Sequence, residues 1–181
     1  MAELPPRVQG FLANNETWSK KLQPFPTMKE LRRAAFSGER KGILILTCLD
    51  PRCVPEQYFG PNIGAAVIRN AGGRANDDVV KSVLLLRSLA DADVLLVVHH
   101  TDCGVMHLTQ RQIVEEAKKR TPQAADRIVS LGDYGCFTEK ELEQSIKEDV
   151  LKLRAEKALE GVQVIGFTMD LNDGIVRQVN V

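Results

Sequence analysis

Three uninterrupted runs of aliphatic and β-branched residues stand out in a chain that otherwise mixes polar and apolar positions. The runs cover residues 42–50, 65–70 and 93–102. Continuously apolar segments of this length are typical of strands buried on both faces of a parallel sheet. Between the second and third runs, apolar residues recur at helical spacing behind Asn76, which predicts a capped crossover helix. The pattern therefore predicts parallel strands connected by helices.

The rest of the chain extends this alternation. Helical periodicity and capping signals such as Thr27 with Glu30 predict three more helices, and two alternating segments around an Asp-Gly turn predict two more strands. These elements are helices over residues 27–37, 105–120 and 139–159, and strands over residues 162–171 and 175–181. Strands that alternate with helices predict an α/β fold with a central, mostly parallel β-sheet flanked by helices.

The first 26 residues differ from the rest. They are polar and carry four of the eight prolines, with room for one short helix around residues 8–21. We expect an N-terminal arm over residues 1–26 that packs on another surface, followed by a single α/β domain over residues 27–181.

Composition and charge narrow the classes of function. Twenty-four basic and 24 acidic residues cancel, so no net field favours nucleic acid or an anionic membrane. No apolar run reaches the roughly 18 residues that a membrane span requires, and the N-terminus lacks a secretory pattern. We expect a cytoplasmic protein, with an organellar address left open. Its four cysteines are then expected to be thiols or metal ligands rather than disulfides.

Candidate ligands follow two of the predicted buried strands. Cys48 and Asp50 end the first strand, and His100 and Cys103 end the third. Because the carboxyl ends of parallel strands meet at one edge of a sheet, we expect these side chains to converge. Two thiolates and one imidazole form a zinc set that leaves a fourth position for water or substrate.

Asp50 and Arg52 suggest the chemistry at that open position. Arg52 is placed to hold Asp50 ionised and oriented through a bidentate pair. Asp50 either accepts a hydrogen bond from a metal-bound water or becomes the fourth ligand itself; the sequence leaves both open. Zinc lowers the pKa of a bound water from 15.7 to about 7, which would supply hydroxide near neutral pH.

Three further features carry alternative interpretations. Gly72 and Gly73 either form a plain strand-to-helix turn or present backbone N–H groups to an anionic substrate or product. His99 is a weaker ligand candidate than His100, because neighbouring strand residues point to opposite faces. His107 is interpreted as a helix-face histidine, with proton transfer as the alternative.

The motifs "CLDPR" and "HHTDCGV", joined by "VIRNAGGRANDDVVKSVLLLRSL", resemble the β-class carbonic anhydrases, in particular their small-subunit branch. The resemblance implies a zinc enzyme with Cys48, His100 and Cys103 as ligands, reversible hydration of CO2 to bicarbonate, and a homodimer or dimer of dimers whose arm wraps over the partner. The same branch also resembles carbonyl sulfide hydrolases, which convert carbonyl sulfide to CO2 and hydrogen sulfide with the same metal set. A non-enzymatic zinc or redox thiol protein is the third hypothesis.

Overall fold

The computed structural model describes residues 4–181. Five strands form one sheet in the order β2-β1-β3-β4-β5. The strands are Ile43–Cys48 (β1), Ala66–Asn70 (β2), Val94–His100 (β3), Gln163–Met169 (β4) and Val176–Val179 (β5). The first four are parallel to their neighbours, and β5 runs antiparallel to β4. The predicted α/β fold with a mostly parallel sheet is confirmed.

Helices connect the strands along the chain. They are Pro6–Ser19 (α1), Met28–Phe36 (α2), Pro55–Tyr58 (α3), Asp77–Ala90 (α4), Gln110–Arg120 (α5), Ala125–Ser130 (α6) and Leu142–Ala155 (α7). The predicted capping signals explain two of the starts. Thr27 and Glu30 bond each other's backbone at the start of α2, and Asn76 accepts hydrogen bonds from the first N–H groups of α4.

Several predicted boundaries are wrong. The helix expected over 105–120 begins only at Gln110, after a short 3-10 turn at Gly104–Met106. The helix expected over 139–159 is interrupted at both ends by 3-10 turns, and only Leu142–Ala155 is α-helical. Helices α3 and α6 were not predicted, because segments of four and six residues are too short to show a helical period.

The larger core lies between the sheet, α4 and α7. It includes Leu46, Val79, Leu95 and Ile146, all fully buried. Gly166 on β4 permits the close approach of α7, because a Cβ atom at this position would lie 2.4 Å from Cγ2 of Ile146. Side chains of β1 and β3 that point into this core are closely packed, and this packing holds the ends of both strands in position.

Within residues 4–181, none of the helices combines the length and the hydropathy that a bilayer crossing requires.

Candidate metal centre

Cys48, His100 and Cys103 converge at one edge of the sheet. Cys48 is the last residue of β1 and His100 the last residue of β3, and these strands are parallel neighbours. Cys103 follows β3 after a turn in which Asp102 takes a left-handed conformation with φ of +51°. The three ligand atoms all lie within 4.8 Å of one another, and the two sulfur atoms are 3.7 Å apart. We call these three residues the Cys-His-Cys cluster.

The donor atoms of the cluster fit a metal ion. Nδ1 of His100 donates a hydrogen bond to the carbonyl oxygen of Thr101 at 2.8 Å, which leaves the lone pair of Nε2 free. This Nε2 is buried and has no hydrogen-bond partner in the described part of the chain, and such buried orphan atoms are rare. A histidine that binds a metal through one ring nitrogen is commonly oriented by a hydrogen bond from its other ring N–H to a backbone carbonyl oxygen. Two cysteines and one histidine are also a ligand set that binds zinc in proteins.

The two sulfur atoms lie within hydrogen-bond distance of each other, and this contact separates their pKa values. A hydrogen bond from the Cys103 thiol, together with backbone N–H groups of Asp50 and Gly72, lowers the pKa of Cys48. The same pairing raises the pKa of Cys103. Because the thiolate is the form that binds metal, the cluster provides one ready ligand, and a cation would have to displace the proton from the second.

Asp50 lies beside the cluster and is clamped by Arg52. Nε and Nη2 of Arg52 donate to the two carboxylate oxygens of Asp50 at 3.0 and 2.7 Å, and the backbone N–H of Arg52 donates at 2.8 Å. These bonds lower the pKa of Asp50 to about 2, so the carboxylate stays ionised near neutral pH. Among the described residues, the group of potential ligand atoms within 4.8 Å of one another does not include Asp50.

The segment after Cys48 turns instead of continuing as a strand. The strand predicted over residues 42–50 ends at Cys48. The N–H of Cys53 then donates a hydrogen bond of 2.9 Å to the carbonyl oxygen of Asp50, which closes a turn. Arg69 on β2 holds this turn by donating to the carbonyl oxygens of Cys48 and Asp50 at 3.1 and 2.5 Å. No sequence pattern indicates this role of Arg69, because it depends on the pairing of β1 with β2.

Gly72 and Gly73 pack directly against the end of β1. Both are buried and have positive φ values of 72° and 71°, a conformation that favours glycine. A Cβ atom on Gly73 would lie 3.1 Å from the carbonyl carbon of Thr47 and 3.2 Å from the amide nitrogen of Cys48. The turn that the sequence predicted is present. Substrate binding by these glycines stays a prediction.

His99 lies outside the Cys-His-Cys cluster, within a buried polar network. Its Nδ1 is 2.8 Å from Oγ of Ser145, and its Nε2 is 3.2 Å from the carbonyl oxygen of Gly73 and 3.3 Å from Oδ2 of Asp149. Arg74 in turn approaches Asp149 at 2.9 Å. His99 therefore connects α7 to the glycine turn behind Cys48. The two adjacent histidines predict that one side chain points to each face of the sheet. No sequence pattern predicts that Ser145 and Asp149 contact His99.

The fold and these contacts define a class of protein: an α/β domain in which the carboxyl ends of adjacent parallel strands bring together two cysteines and a histidine that could hold a metal ion. A family model described as carbonic anhydrase matches residues 43–176. The chain belongs to the carbonic anhydrase family, in its β class.

Similar proteins carry two kinds of name. A carbon disulfide hydrolase of Acidianus sp. (strain A1-3) is 31% identical over 144 residues, which cover 75% of this chain and 69% of that protein. Beta-carbonic anhydrase 1 of Mycobacterium bovis is 39% identical over 70 residues, which cover 38% of this chain and 43% of that enzyme.

One solved structure covers nearly the whole chain. The crystal structure of a carbonic anhydrase from Streptococcus mutans superposes with a TM-score of 0.79 at 27% identity, and it covers 98% of this chain and 100% of the other.

Proposed function

We propose that this protein is a zinc enzyme that catalyses the reversible hydration of CO2 to bicarbonate. The observation that carries the proposal is the Cys-His-Cys cluster, in which the buried Nε2 of His100 has no hydrogen-bond partner among the described residues. The carboxylate of Asp50, which Arg52 holds through two hydrogen bonds, lies beside this cluster. Zinc bound to Cys48, His100 and Cys103 would leave one position for a water molecule, lower the pKa of that water and supply a nucleophile near neutral pH.

The residues of the chain position the reacting groups. Asp50 accepts a hydrogen bond from the attacking water and so directs a lone pair of its oxygen toward the carbon of CO2. Arg52 keeps Asp50 ionised, because protonating the carboxylate would break a bidentate pair. Backbone N–H groups around Gly72 and Gly73 stabilise the negative charge that develops on the oxygen atoms of the product.

We also propose that residues 1–26 form an arm that packs on a partner subunit in a homodimer or dimer of dimers, with residues 27–181 as the single α/β domain. Helix α1 and the segment after it expose large apolar side chains, among them Phe11, Trp18 and Phe25. Aromatic side chains are enriched in the buried centres of protein interfaces, which supports a partner surface that covers these residues. Residues 1–3 lie outside the described part of the chain.

A second candidate function is hydrolysis of a sulfur-containing linear triatomic molecule at the same site. Its support is the 31% identity with the Acidianus protein over three quarters of this chain, since that protein is named a carbon disulfide hydrolase. Carbonyl sulfide, with one oxygen and one sulfur atom, is intermediate between CO2 and carbon disulfide. Substrates that differ by one atom in an apolar pocket are separated by only about 1 to 3 kcal/mol. The geometry of the cluster therefore serves either substrate.

Paired assays on the zinc-loaded protein separate the two functions. Stopped-flow measurement with a pH indicator follows CO2 hydration, and hydrogen sulfide release follows hydrolysis of carbonyl sulfide or carbon disulfide. We expect the larger kcat/KM for CO2. A chain that releases hydrogen sulfide but leaves CO2 hydration at the uncatalysed rate would replace the first function with the second.

A further inference from the structure

His99 is a buried histidine that does not belong to the Cys-His-Cys cluster. Its side chain is 1% exposed, and it comes directly before His100 on β3, so the two rings point to opposite faces of the sheet. A buried polar ring costs free energy unless its nitrogen atoms have partners. The partners of both nitrogen atoms therefore show what holds this ring in place.

The atoms around Nε2 of His99 determine where the ring carries a proton. Nε2 lies 3.2 Å from the carbonyl oxygen of Gly73 and 3.3 Å from Oδ2 of Asp149. Carbonyl and carboxylate oxygens accept hydrogen bonds, so Nε2 is a protonated nitrogen. Nδ1 faces Oγ of Ser145 at 2.8 Å, and a hydroxyl group can either donate or accept. His99 thus donates a hydrogen bond to Gly73.

Gly73 leaves no free space between His99 and the end of β1. A Cβ atom on Gly73 would lie 3.2 Å from Cδ2 of His99 and also 3.2 Å from the amide nitrogen of Cys48. The ring of His99 and the backbone of Cys48 therefore approach the same point of the glycine turn. Because close-packed atoms transmit displacements, a shift of the ring would change the position of Cys48.

The glycine turn is also attached to Cys48 at both of its ends. Asn70 pairs with Cys48 in the sheet, and the carbonyl oxygen of Asn70 accepts the N–H of Leu49 at 2.9 Å. Nδ2 of the same asparagine donates to the carbonyl oxygen of Arg74 at 2.8 Å. Residues 70–74 thus form a loop that hydrogen bonds close beside Cys48, and His99 holds the middle of this loop.

Asp149 on α7 holds His99 in turn. Its side chain is 4% exposed, and Oδ2 lies 2.9 Å from Nε of Arg74. Among the described residues Oδ2 has no aligned hydrogen bond, so its contacts with Arg74 and His99 are attractions between charges and dipoles. The ring of Phe137 stacks on His99 at 5.6 Å between centroids, and the guanidinium of Arg74 lies 5.5 Å from the same ring. These contacts enclose His99.

Stability alone does not account for the buried carboxylate of Asp149. Well-packed apolar side chains of similar volume often replace a buried ion pair without loss of stability. Helix α7 already directs Ile146, Val150 and Leu153 into the core, so an apolar side chain would suit the same helix face. A carboxylate does what an apolar group does not, because it attracts the Nε2–H of His99 and thereby orients the ring.

We propose that His99 and Asp149 are positioning residues for the metal ligand Cys48. Asp149 orients the ring, the Nε2–H of His99 fixes the carbonyl oxygen of Gly73, and the glycine turn fixes the backbone of Cys48. This inference rests on zinc binding in the proposed function, but not on the identity of the substrate. Groups that orient metal ligands from outside commonly contribute 10- to 100-fold to metal affinity. These two residues should therefore control how tightly zinc is held, although neither touches it.

Two substitutions of His99 separate its hydrogen bond from the packing of its ring. His99→Gln keeps an N–H donor for Gly73, so its dissociation constant for zinc should stay close to that of the wild type. His99→Phe keeps a ring that stacks on Phe137 but has no donor, so it should raise this constant about 10- to 100-fold. Competition with a chelator measures both. Glu148→Gln is the matched control and should change nothing, because Glu148 neighbours Asp149 but is 56% exposed.

Absorption spectra of the cobalt(II)-substituted proteins add a readout that a purely structural role would not change. The bands of cobalt bound to thiolates depend on the distances and angles to the sulfur atoms, whereas a lower stability leaves them unchanged as long as the protein is folded. We expect shifted bands in His99→Phe and wild-type bands in His99→Gln and Glu148→Gln. Wild-type affinity and bands in His99→Phe, or equal losses in both His99 variants, would overturn the proposal.

Further measurements keep the proposal testable if His99→Phe does not fold. Asp149→Asn removes the charge at nearly constant volume and should also weaken zinc binding; unchanged affinity would contradict the role of Asp149. Nitrogen NMR of the wild type should show a proton on Nε2 of His99, and an unprotonated Nε2 would contradict the hydrogen bond to Gly73. A wild-type protein that binds no zinc would overturn the proposed function as well, whereas zinc binding that none of these variants changes would overturn this inference alone.

Discussion

The Cys-His-Cys cluster and helix α1 differ in where their contacts come from. Cys48, His100 and Cys103 are at most 4% exposed, and residues of β2 and the glycine turn surround them within the same chain. Helix α1 exposes Phe11 by 69% and Trp18 by 54%. The candidate site is thus assembled by the fold of one chain, whereas the arm presents apolar surface that the described chain does not cover.

This contrast indicates that metal binding and self-association are separable properties. A change within the cluster should affect metal and turnover first, because those side chains are already packed and oriented. A change in the arm should affect assembly first.

Replacing one cluster sulfur should have the largest effect. Cys48→Ser should lower the zinc content to a small fraction and reduce CO2 hydration by at least about 100-fold, since loss of outer partners alone already costs 10- to 100-fold. Elemental analysis and stopped-flow assays measure both quantities. Cys136→Ser is the matched control, because Cys136 is partly exposed and lies outside the cluster. Full zinc and full turnover in Cys48→Ser would refute the ligand assignment.

Asp50→Asn should keep zinc and lose about 100-fold in turnover, because an amide is a weaker and differently oriented acceptor for the attacking water. Arg52 would lose its bidentate partner at the same time. The same elemental and kinetic measurements apply. If zinc disappears together with activity, Asp50 is a metal ligand instead of an orienting residue.

Substitution in the arm should weaken assembly without removing metal. The double variant Phe11→Ser with Trp18→Ser should raise the dissociation constant of the dimer at least about tenfold, because buried aromatic anchors dominate interface energies. Sedimentation velocity measures the association, and Asn15→Ala on the same exposed helix is the control. A wild-type chain that sediments as a monomer would contradict the proposed role of the arm.

Gly73→Ala should lower the free energy of unfolding by about 1 to 3 kcal/mol, because the added methyl group overpacks the site and strains the backbone. The added Cβ atom would meet backbone atoms of Thr47 and Cys48. Gly38→Ala is an informative control, since Gly38 also has a positive φ, of 81°, but no atom within 4 Å of the added Cβ. Denaturant unfolding of both variants separates packing from strain. Equal losses in the two variants would show that packing contributes nothing.

The Asp50–Arg52 pair should produce the smallest effect, a pH-dependent part of the stability. The pKa of Asp50 falls from 3.8 to about 2 on folding, so the pair stabilises the fold fully above about pH 4 and loses this contribution as the pH falls toward 2. The difference in unfolding free energy between wild type and Asp50→Asn should therefore be smaller at pH 3 than at pH 6. An equal difference at both values would contradict the clamp.

The sequence predicted the five strands, their mostly parallel arrangement and the three members of the cluster. Buried parallel strands must be apolar throughout, so β1 and β3 are visible as aliphatic runs, and the abrupt change to Cys48 and His100 marks their carboxyl ends. Strand geometry then distinguishes His100 from His99, because adjacent residues of a strand face opposite sides of the sheet. Both inferences need only local backbone geometry and the convergence of parallel strands.

The contacts that support the cluster depend on the tertiary structure. Arg69 holds the turn after Cys48 through the pairing of two strands, and Asp149 reaches His99 from a helix 50 residues further along the chain. Asp102 connects Arg52 to His107 by accepting hydrogen bonds from both side chains, at a turn where its own φ is left-handed. These contacts join residues far apart in sequence, and their geometry depends on the packing of whole elements, which a one-dimensional pattern does not encode.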